Sequence, residues 1–343
     1  MLPHHLLAHL LHQRPLSEAD ALDAVDDILS ARLDPPQIAA LLALIQVRGP
    51  TVDELVGAAR AMRRHLTPIP FHNPSLTLLD TCGTGGAPKT FNVSTAAAIV
   101  AAAASPSLAV AKHGNRSRTG RGSAEVLATL GVNIDAPPHI QALCLQRARL
   151  CFCFAIHHHP AARHAAPVRR ALGFPTLFNL LGPLSNPANA SHQLLGVYSL
   201  HAAQLVAHAL ARLGCTRAIV LHSDDGLDEL SLNAPTSLFH VRNGSVSRES
   251  LNPATLGLQP APLDALTARD LPHAAQLIRD VLADTPGPAH DLVALNAAAA
   301  LLAADAAPDL RAGLLLARSA LRSGAAAHTL ATLATTSHSP ATP

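Results

Sequence analysis

The sequence predicts an α/β protein: a small helical domain plus a larger α/β domain with a mostly parallel central sheet and flanking helices. Three observations predict it. The first 66 residues carry apolar side chains at helical spacing with short breaks. From Leu76 onward, short apolar runs that end in polar and glycine residues alternate with helix-like stretches. From Asp291 to about Leu333 the chain is rich in Ala and Leu and reads as helical.

Taken in order, Ser17 followed by Asp20 forms a capping signal before ALDAVDDILSARL. Pro35 and Pro36 open QIAALLALIQVRG, with proline at a tolerated first-turn position. Thr51 and Asp53 start TVDELVGAARAMRRHL, and Thr67 to Pro74, with three prolines, reads as a linker. LTLLD is then a short strand running into a Gly-rich turn and the helix STAAAIVAAAA. SLAVAKHGN is a second strand, followed by the helix GSAEVLATLGVNI, which stops at Gly131. CTRAIVLHSDDG again sends a strand into a polar loop. In such a sheet, ligands gather at the C-terminal ends of the strands. The division expected is a helical domain over 1–70, with a contribution from about 165–192 and a role in dimerisation. Residues 71–164 and 193–335 form the α/β domain, and 336–343 a disordered tail.

Composition narrows the function. With 49% apolar and 14% charged residues the chain can bury a sizeable core. A net charge of +2, no long basic run and almost no aromatics argue against a general nucleic-acid binder. The five cysteines, at 82, 144, 151, 153 and 215, are odd in number and include no CxxC pair, so neither a disulfide framework nor a zinc site is indicated. Reduced thiols fit a cytoplasmic protein. The N-terminus is a poor signal peptide, and Ala96 to Ala104 is too short to span a bilayer, so no membrane partner is expected. The run His157-His158-His159 does not by itself converge on one ion.

Three loops carry chemistry. DTCGTGGAPKTFNVST, Asp80 to Thr95, places Gly83, Gly85 and Gly86 where the backbone can approach a ligand and take positive φ, next to a helix start near Asn92 to Thr95. Alone, it is either an anion site or a tight structural turn. AKHGNRSRTGRGSAE, Ala111 to Glu125, combines Lys112, Arg116, Arg118 and Arg121 with small residues, as a loop over pyrophosphate or an exposed basic loop would. SDDGLDELS, Ser223 to Ser231, crowds four carboxylates that repel one another unless a cation neutralises them. Oxygen ligands beside a phosphate site favour magnesium; a solvated acidic turn is the alternative.

The order and separation of GTGG…TFNVST, KHGN-R, HPA…PVRRALG…TLFNLLGPLSNPA and DGLDE resemble the anthranilate phosphoribosyltransferase family, out to about residue 333. The resemblance implies transfer of the phosphoribosyl group of phosphoribosyl pyrophosphate to the amine of anthranilate, by a cytoplasmic homodimer using two magnesium ions per monomer. Gly83, Gly86, Ala87, Thr90, Asn92, Val93, Ser94, Thr95, Lys112, His113, Gly114, Asn115, Arg116, Ser117 and Ser123 would contact the donor. Gly83, Asn115 and Arg169 would contact anthranilate, the Arg169 fork pairing with its carboxylate. Ser94, Asp228 and Glu229 would hold magnesium, and Lys112, His113 and Asn115 would stand at the reacting atoms. Four departures from that pattern bear on the donor contacts: Ala87-Pro88-Lys89 is one residue short, Arg118 and Arg121 stand in a usually Ser-rich loop, and Ile156 and Pro175 replace a usual proline and arginine. Two rivals share the architecture: a pyrimidine nucleoside phosphorylase and a non-catalytic nucleic-acid-binding paralogue.

Overall fold

The computed structural model describes residues 3–86, 90–117 and 120–340. Four helices open the chain: α1 (Pro3–Leu11), α2 (Glu18–Leu29), α3 (Pro35–Arg48) and α4 (Val52–Arg64). Ser17 caps α2 by accepting the Asp20 N–H at 3.1 Å. Thr51 caps α4 with Glu54 as its partner, and Asp53 lies in the first turn. The Thr51 N–H donates to Glu54 Oε2 at 2.8 Å, while Glu54 N–H donates to the Thr51 hydroxyl at 3.3 Å. Glu54 is fully buried, and its other oxygen accepts the Leu16 N–H at 3.0 Å and the Arg48 guanidinium at 2.5 Å.

After the linker, β1 (Thr77–Gly83), α5 (Val93–Ala104), β2 (Leu108–Gly114), α6 (Ser123–Thr129), α7 (Pro138–Arg147) and β3 (Leu150–Phe154) alternate. Three short helices follow: α8 (Ala155–His158), α9 (Ala166–Leu172) and α10 (Phe178–Leu181). The chain continues through β4 (His192–Gly196), α11 (Leu200–Arg212), β5 (Arg217–Ser223), β6 (Thr236–Arg242) and β7 (Ser245–Leu251). It ends in α12 (Leu271–Leu282), α13 (Pro288–Ala303), α14 (Leu310–Arg322) and α15 (Ala325–Ser337). The seven-stranded sheet has the order β3-β2-β1-β4-β5-β6-β7. Its first five strands are parallel, and β6 and β7 are antiparallel. The hairpin turns on Asn243-Gly244, a two-residue signal flanked by alternating residues that the sequence displays openly.

Strand alternation sorts the apolar residues into two cores. Leu79, Leu194, Ile219, Leu221 and Leu238 share a core with the Ala-rich helix α5 and the four C-terminal helices. Cys82, Leu195, Ala218, Val220, Phe239 and Val241 face the other way, into α11 and the N-terminal bundle. Val168, Phe178 and Leu181, from the segment 165–192, join that second core.

The tail expected from residue 336 is corrected at its start. Thr336 and Ser337 are buried in α15, where Ser337 Oγ accepts the Asn133 N–H at 2.9 Å and its carbonyl accepts Asn133 Nδ2 at 3.1 Å.

Candidate active site

The strand order reverses between β1 and β4, the switch point where an open α/β sheet leaves a crevice beyond its strand ends. The loops after β1, β2 and β5 meet there around a cleft of about 610 Å³. Asp228 is lodged in the crevice. A Cβ on Gly83 would come within 2.8 Å of Asp228 Oδ2, and one on Gly196 within 1.7 Å of the Asp228 carbonyl oxygen. Of the three loop glycines, Gly85 and Gly86 do adopt positive φ, of 66° and 97°. Gly83 does not; it is needed for space.

The cleft wall contains Gly83, Gly86, Thr90, Asn92, Ser94, Lys112, His113, Gly114, Asn115, Arg116, Ser117, Ser123, Arg169, Asp228 and Glu229. Ala87 and Arg118 lie outside the described residues. Two donor-site expectations are not met by side chains. Val93 and Thr95 are buried on the core side of α5, away from the wall. Their N–H groups donate to Phe91 O at 2.9 Å and Asn92 O at 3.0 Å. Of Asn92 to Thr95, only Asn92 and Ser94 line the cleft.

Lys112 is almost fully buried and donates to Thr81 O at 2.7 Å and to Ser94 Oγ at 3.2 Å. Burial pulls its pKa down, and the neighbouring carboxylates oppose that pull. His113 donates from Nδ1 to Gly182 O at 3.0 Å, leaving Nε2 buried and without a protein partner. Burial drops its pKa to about 4, so the ring is neutral at neutral pH. His159 stacks obliquely on it, with ring centroids 5.0 Å apart, and burial drops its pKa to about 3. The three consecutive histidines diverge: His157 bonds Asp135, His158 bonds Thr67 O and Gln141, and His159 faces a cavity.

The four crowded acids separate as well. Asp224 and Asp225 are exposed, and Asp225 accepts the Ser231 hydroxyl at 2.5 Å. Only Asp228 and Glu229 reach the cleft. Glu229 accepts the Thr90 hydroxyl at 2.9 Å, and burial together with the charge of Asp228 pushes its pKa up to about 8. A cation bound beside that adjacent pair would relieve its repulsion. Among the described residues no group of three or more His, Cys, Asp or Glu side chains could hold a metal. A metal here would find two carboxylates and the Ser94 hydroxyl, and would draw its remaining oxygens from a phosphate ligand and water, a set that suits magnesium.

A second cavity, of about 570 Å³, adjoins the first. The two share Gly83, Thr84, His113 to Arg116, Arg169 and Asn179, whereas Lys112, Ser94 and the carboxylates line only the first. Arg169 lies over the Phe178 ring at 5.3 Å and Arg116 over the Phe154 ring at 5.6 Å, contacts that orient both guanidinium groups. Arg121 ties its loop across the cleft: Nη1 donates to Ala268 O, and its own carbonyl accepts Asn92 Nδ2 at 3.2 Å. Sequence reasoning missed Thr84, Asn179 and the Ala268 segment. Asn179 sits in the TLFNLLG block, where its Oδ1 accepts the Thr176 N–H at 3.0 Å.

This fold and cleft define a glycosyltransferase. Residues 75–327 match the glycosyl transferase family a/b domain and residues 4–66 its helical bundle domain. Within that class, the chain belongs to the anthranilate phosphoribosyltransferase family. It is 48% identical to the Thermomicrobium roseum enzyme of that name, over 90% of this chain and 89% of that one. It superimposes on the Thermus thermophilus enzyme with a TM-score of 0.91 at 39% identity, covering 97% and 99% of the two chains. The Saccharomyces cerevisiae enzyme, solved in complex with PRPP and Mg, matches with a TM-score of 0.89 at 26% identity, over 98% and 97%.

Proposed function

We infer that the two joined cavities carry out transfer of the phosphoribosyl group to the amine of anthranilate, the step that feeds tryptophan biosynthesis, with the donor in the first cavity and anthranilate in the second. The observation that carries this reading is their division of labour. Cation, hydroxyl and carboxylates line the first cavity alone, while Arg169, His113 and Asn115 stand on its border with the second. The phosphorylase and nucleic-acid readings have no comparable support.

The donor's phosphates fit the Gly83–Gly86 turn, the Ser94 hydroxyl and the Lys112 ammonium. Asp228, Glu229 and Ser94 would hold magnesium, as two ions per monomer, which on binding offsets the charge that gathers on departing pyrophosphate. The bond from ribose C1 to the pyrophosphate oxygen breaks as the C–N bond forms, and the amine releases one proton. Arg169 pairs with the anthranilate carboxylate and presents the amine to C1. His113, a neutral imidazole with Nδ1–H committed to Gly182 and Nε2 buried, holds the border between the two cavities. With its pKa near 4 it is a weak base, and the proton, made acidic by C–N bonding, passes to water.

The same reading includes a homodimer paired through the helical end, where Leu11 and Val47 are 68% and 85% exposed, and a cytoplasmic location. No helix among the described residues is long and apolar enough to cross a membrane. The test is direct: mix protein, anthranilate, phosphoribosyl pyrophosphate and magnesium, and follow loss of anthranilate fluorescence. Unchanged fluorescence with folded protein overturns the reading.

A further inference from the structure

Strands β1 and β2 part company near the cleft. Their paired register covers Thr77–Leu79 against Leu108–Val110 and goes no further, although the strands run on to Gly83 and Gly114. Their outer partners stay in step to the end: β1 pairs β4 as far as Gly83–Gly196, and β2 pairs β3 as far as Gly114–Phe154. Beyond Val110, the β2 backbone groups that point toward β1 have therefore lost their strand partner. Buried main-chain groups left unpaired are costly, so something must replace the missing rungs.

Side chains do so. Asn186 Nδ2 donates to Ala111 O at 2.8 Å, and Lys112 Nζ crosses the gap to Thr81 O at 2.7 Å. The His113 N–H, the last main-chain donor before the loop, is taken at 2.9 Å by Oδ1 of Asp80. Asp80 is fully buried, opposite Gln193 on β4, and accepts the Gln193 amide at 3.5 Å and the Asn186 side chain on its remaining lone pairs. It touches neither cavity that holds the reacting atoms. It nonetheless fixes the backbone from which the His113 ring and the Gly114-Asn115-Arg116 turn project.

We propose that Asp80 is a positioning residue for this transferase, its carboxylate replacing the absent β1–β2 rungs and setting the His113–Asn115 border between the donor and acceptor cavities. No other side chain of that size serves. The carboxylate accepts on both sides, from a main-chain N–H and from two side-chain amides. An asparagine turned either way aims its NH₂ at one of these donors. Its shape is otherwise the same, so packing is preserved and the hydrogen-bond fault is isolated.

The test compares Asp80→Asn, Asp80→Ala and Leu321→Ala, the last a buried truncation on α14 that lines neither cavity. Displacing positioned groups by a fraction of an ångström to an ångström costs about 10- to 100-fold in rate. Asp80→Asn is expected to lower kcat about 10-fold with both KM values within about 3-fold, and Asp80→Ala to lower kcat about 100-fold. Leu321→Ala should lose comparable thermal stability with kcat unchanged. Amide hydrogen exchange adds a readout that general destabilisation does not localise: peptides covering 110–116 should exchange faster in the Asp80 variants, and those covering 217–223 should not. If Asp80→Ala fails to fold, Asp80→Asn decides the matter alone. Wild-type kcat in Asp80→Asn, a change confined to KM, or a kcat that merely tracks melting temperature as in Leu321→Ala would each overturn the proposal.

Discussion

The body of the sheet and its C-terminal edge are built from the same strands by different rules. In the body, Val110, Ile219 and Val220 are fully buried, apolar and paired to a neighbouring strand on both sides. Toward the cleft, Asp80, Thr81, Lys112, His113 and Gln193 are nearly as buried but polar, and across the gap between β1 and β2 side chains make the hydrogen bonds that a ladder would make. Apolar contact is non-directional and tolerates exchange among side chains of similar volume. A buried polar edge is satisfied one bond at a time, so small changes there should appear in rate before they appear in stability.

The comparison breaks hardest at the carboxylates. Asp228→Ala with Glu229→Ala should cut turnover by about 10³-fold or more, since a bound cation supplies several kcal/mol to a developing charge. Circular dichroism should be unchanged, and near-wild-type rates at ordinary magnesium would show that the edge does not work this way. The apolar core packed against the body should give the converse result. Leu321→Ala should cost about 2–5 kcal/mol in denaturant unfolding while kcat and both KM values of the folded protein stay put.

Arg169→Ala tests the acceptor side. Loss of one charge-assisted partner is worth about 1.5–3 kcal/mol, so the anthranilate KM should rise about 10- to 150-fold with the donor KM little changed. An equal rise in both would instead make Arg169 a support for the loop.

The next effect is one of pH. His113 and His159 are held neutral by burial, with pKa values of about 4 and about 3. Below about pH 6.5 the unfolded chain takes up protons that the folded chain refuses, so stability is intact above that pH and falls as pH drops toward 4. Each buried histidine contributes up to about 1.4 kcal/mol per pH unit in that window. His159→Gln should make the fall of melting temperature between pH 7 and 5 shallower than in the wild type. A parallel fall would exclude His159 as a cause.

The smallest effect belongs to Arg121. Its guanidinium bonds Ala268 O, and Ala268 N–H bonds Thr90 O at 3.2 Å, so Arg121→Ser should loosen the donor loop by about 0.5–1.5 kcal/mol and raise the donor KM a few-fold. Superimposable donor titrations for variant and wild type would show that the tie is dispensable.

Much of this was legible beforehand, for identifiable reasons. Caps and periodicity mark α2 to α4, and Gly-rich turns after apolar runs mark β1 and β2, because those signals are local. The ordered blocks place Lys112, Asn115, Arg169, Asp228 and Glu229 in one cleft. What escaped depends on pairing across the chain. The five residues of β4 and of β3 are too short to show a period, and the role of FNLLGPLSNPA is invisible until Gly182 O meets His113 and Asn186 meets Ala111 O. Val93 and Thr95 sit in the right block, yet helical geometry turns their side chains into the core.

The hairpin that ends the sheet has a consequence of another kind. A parallel sheet that stopped at β5 would offer neighbouring molecules a bare, apolar strand margin, the template on which chains stack into insoluble ribbons. Here β6 covers that margin, and β7 ends it with SVSRESL, a largely exposed polar strand whose Arg248 lies over the Phe239 ring at 5.6 Å and whose Glu249 pairs His240 at 3.1 Å. The sheet therefore finishes on an exposed polar strand that gives neighbouring chains no apolar margin to extend.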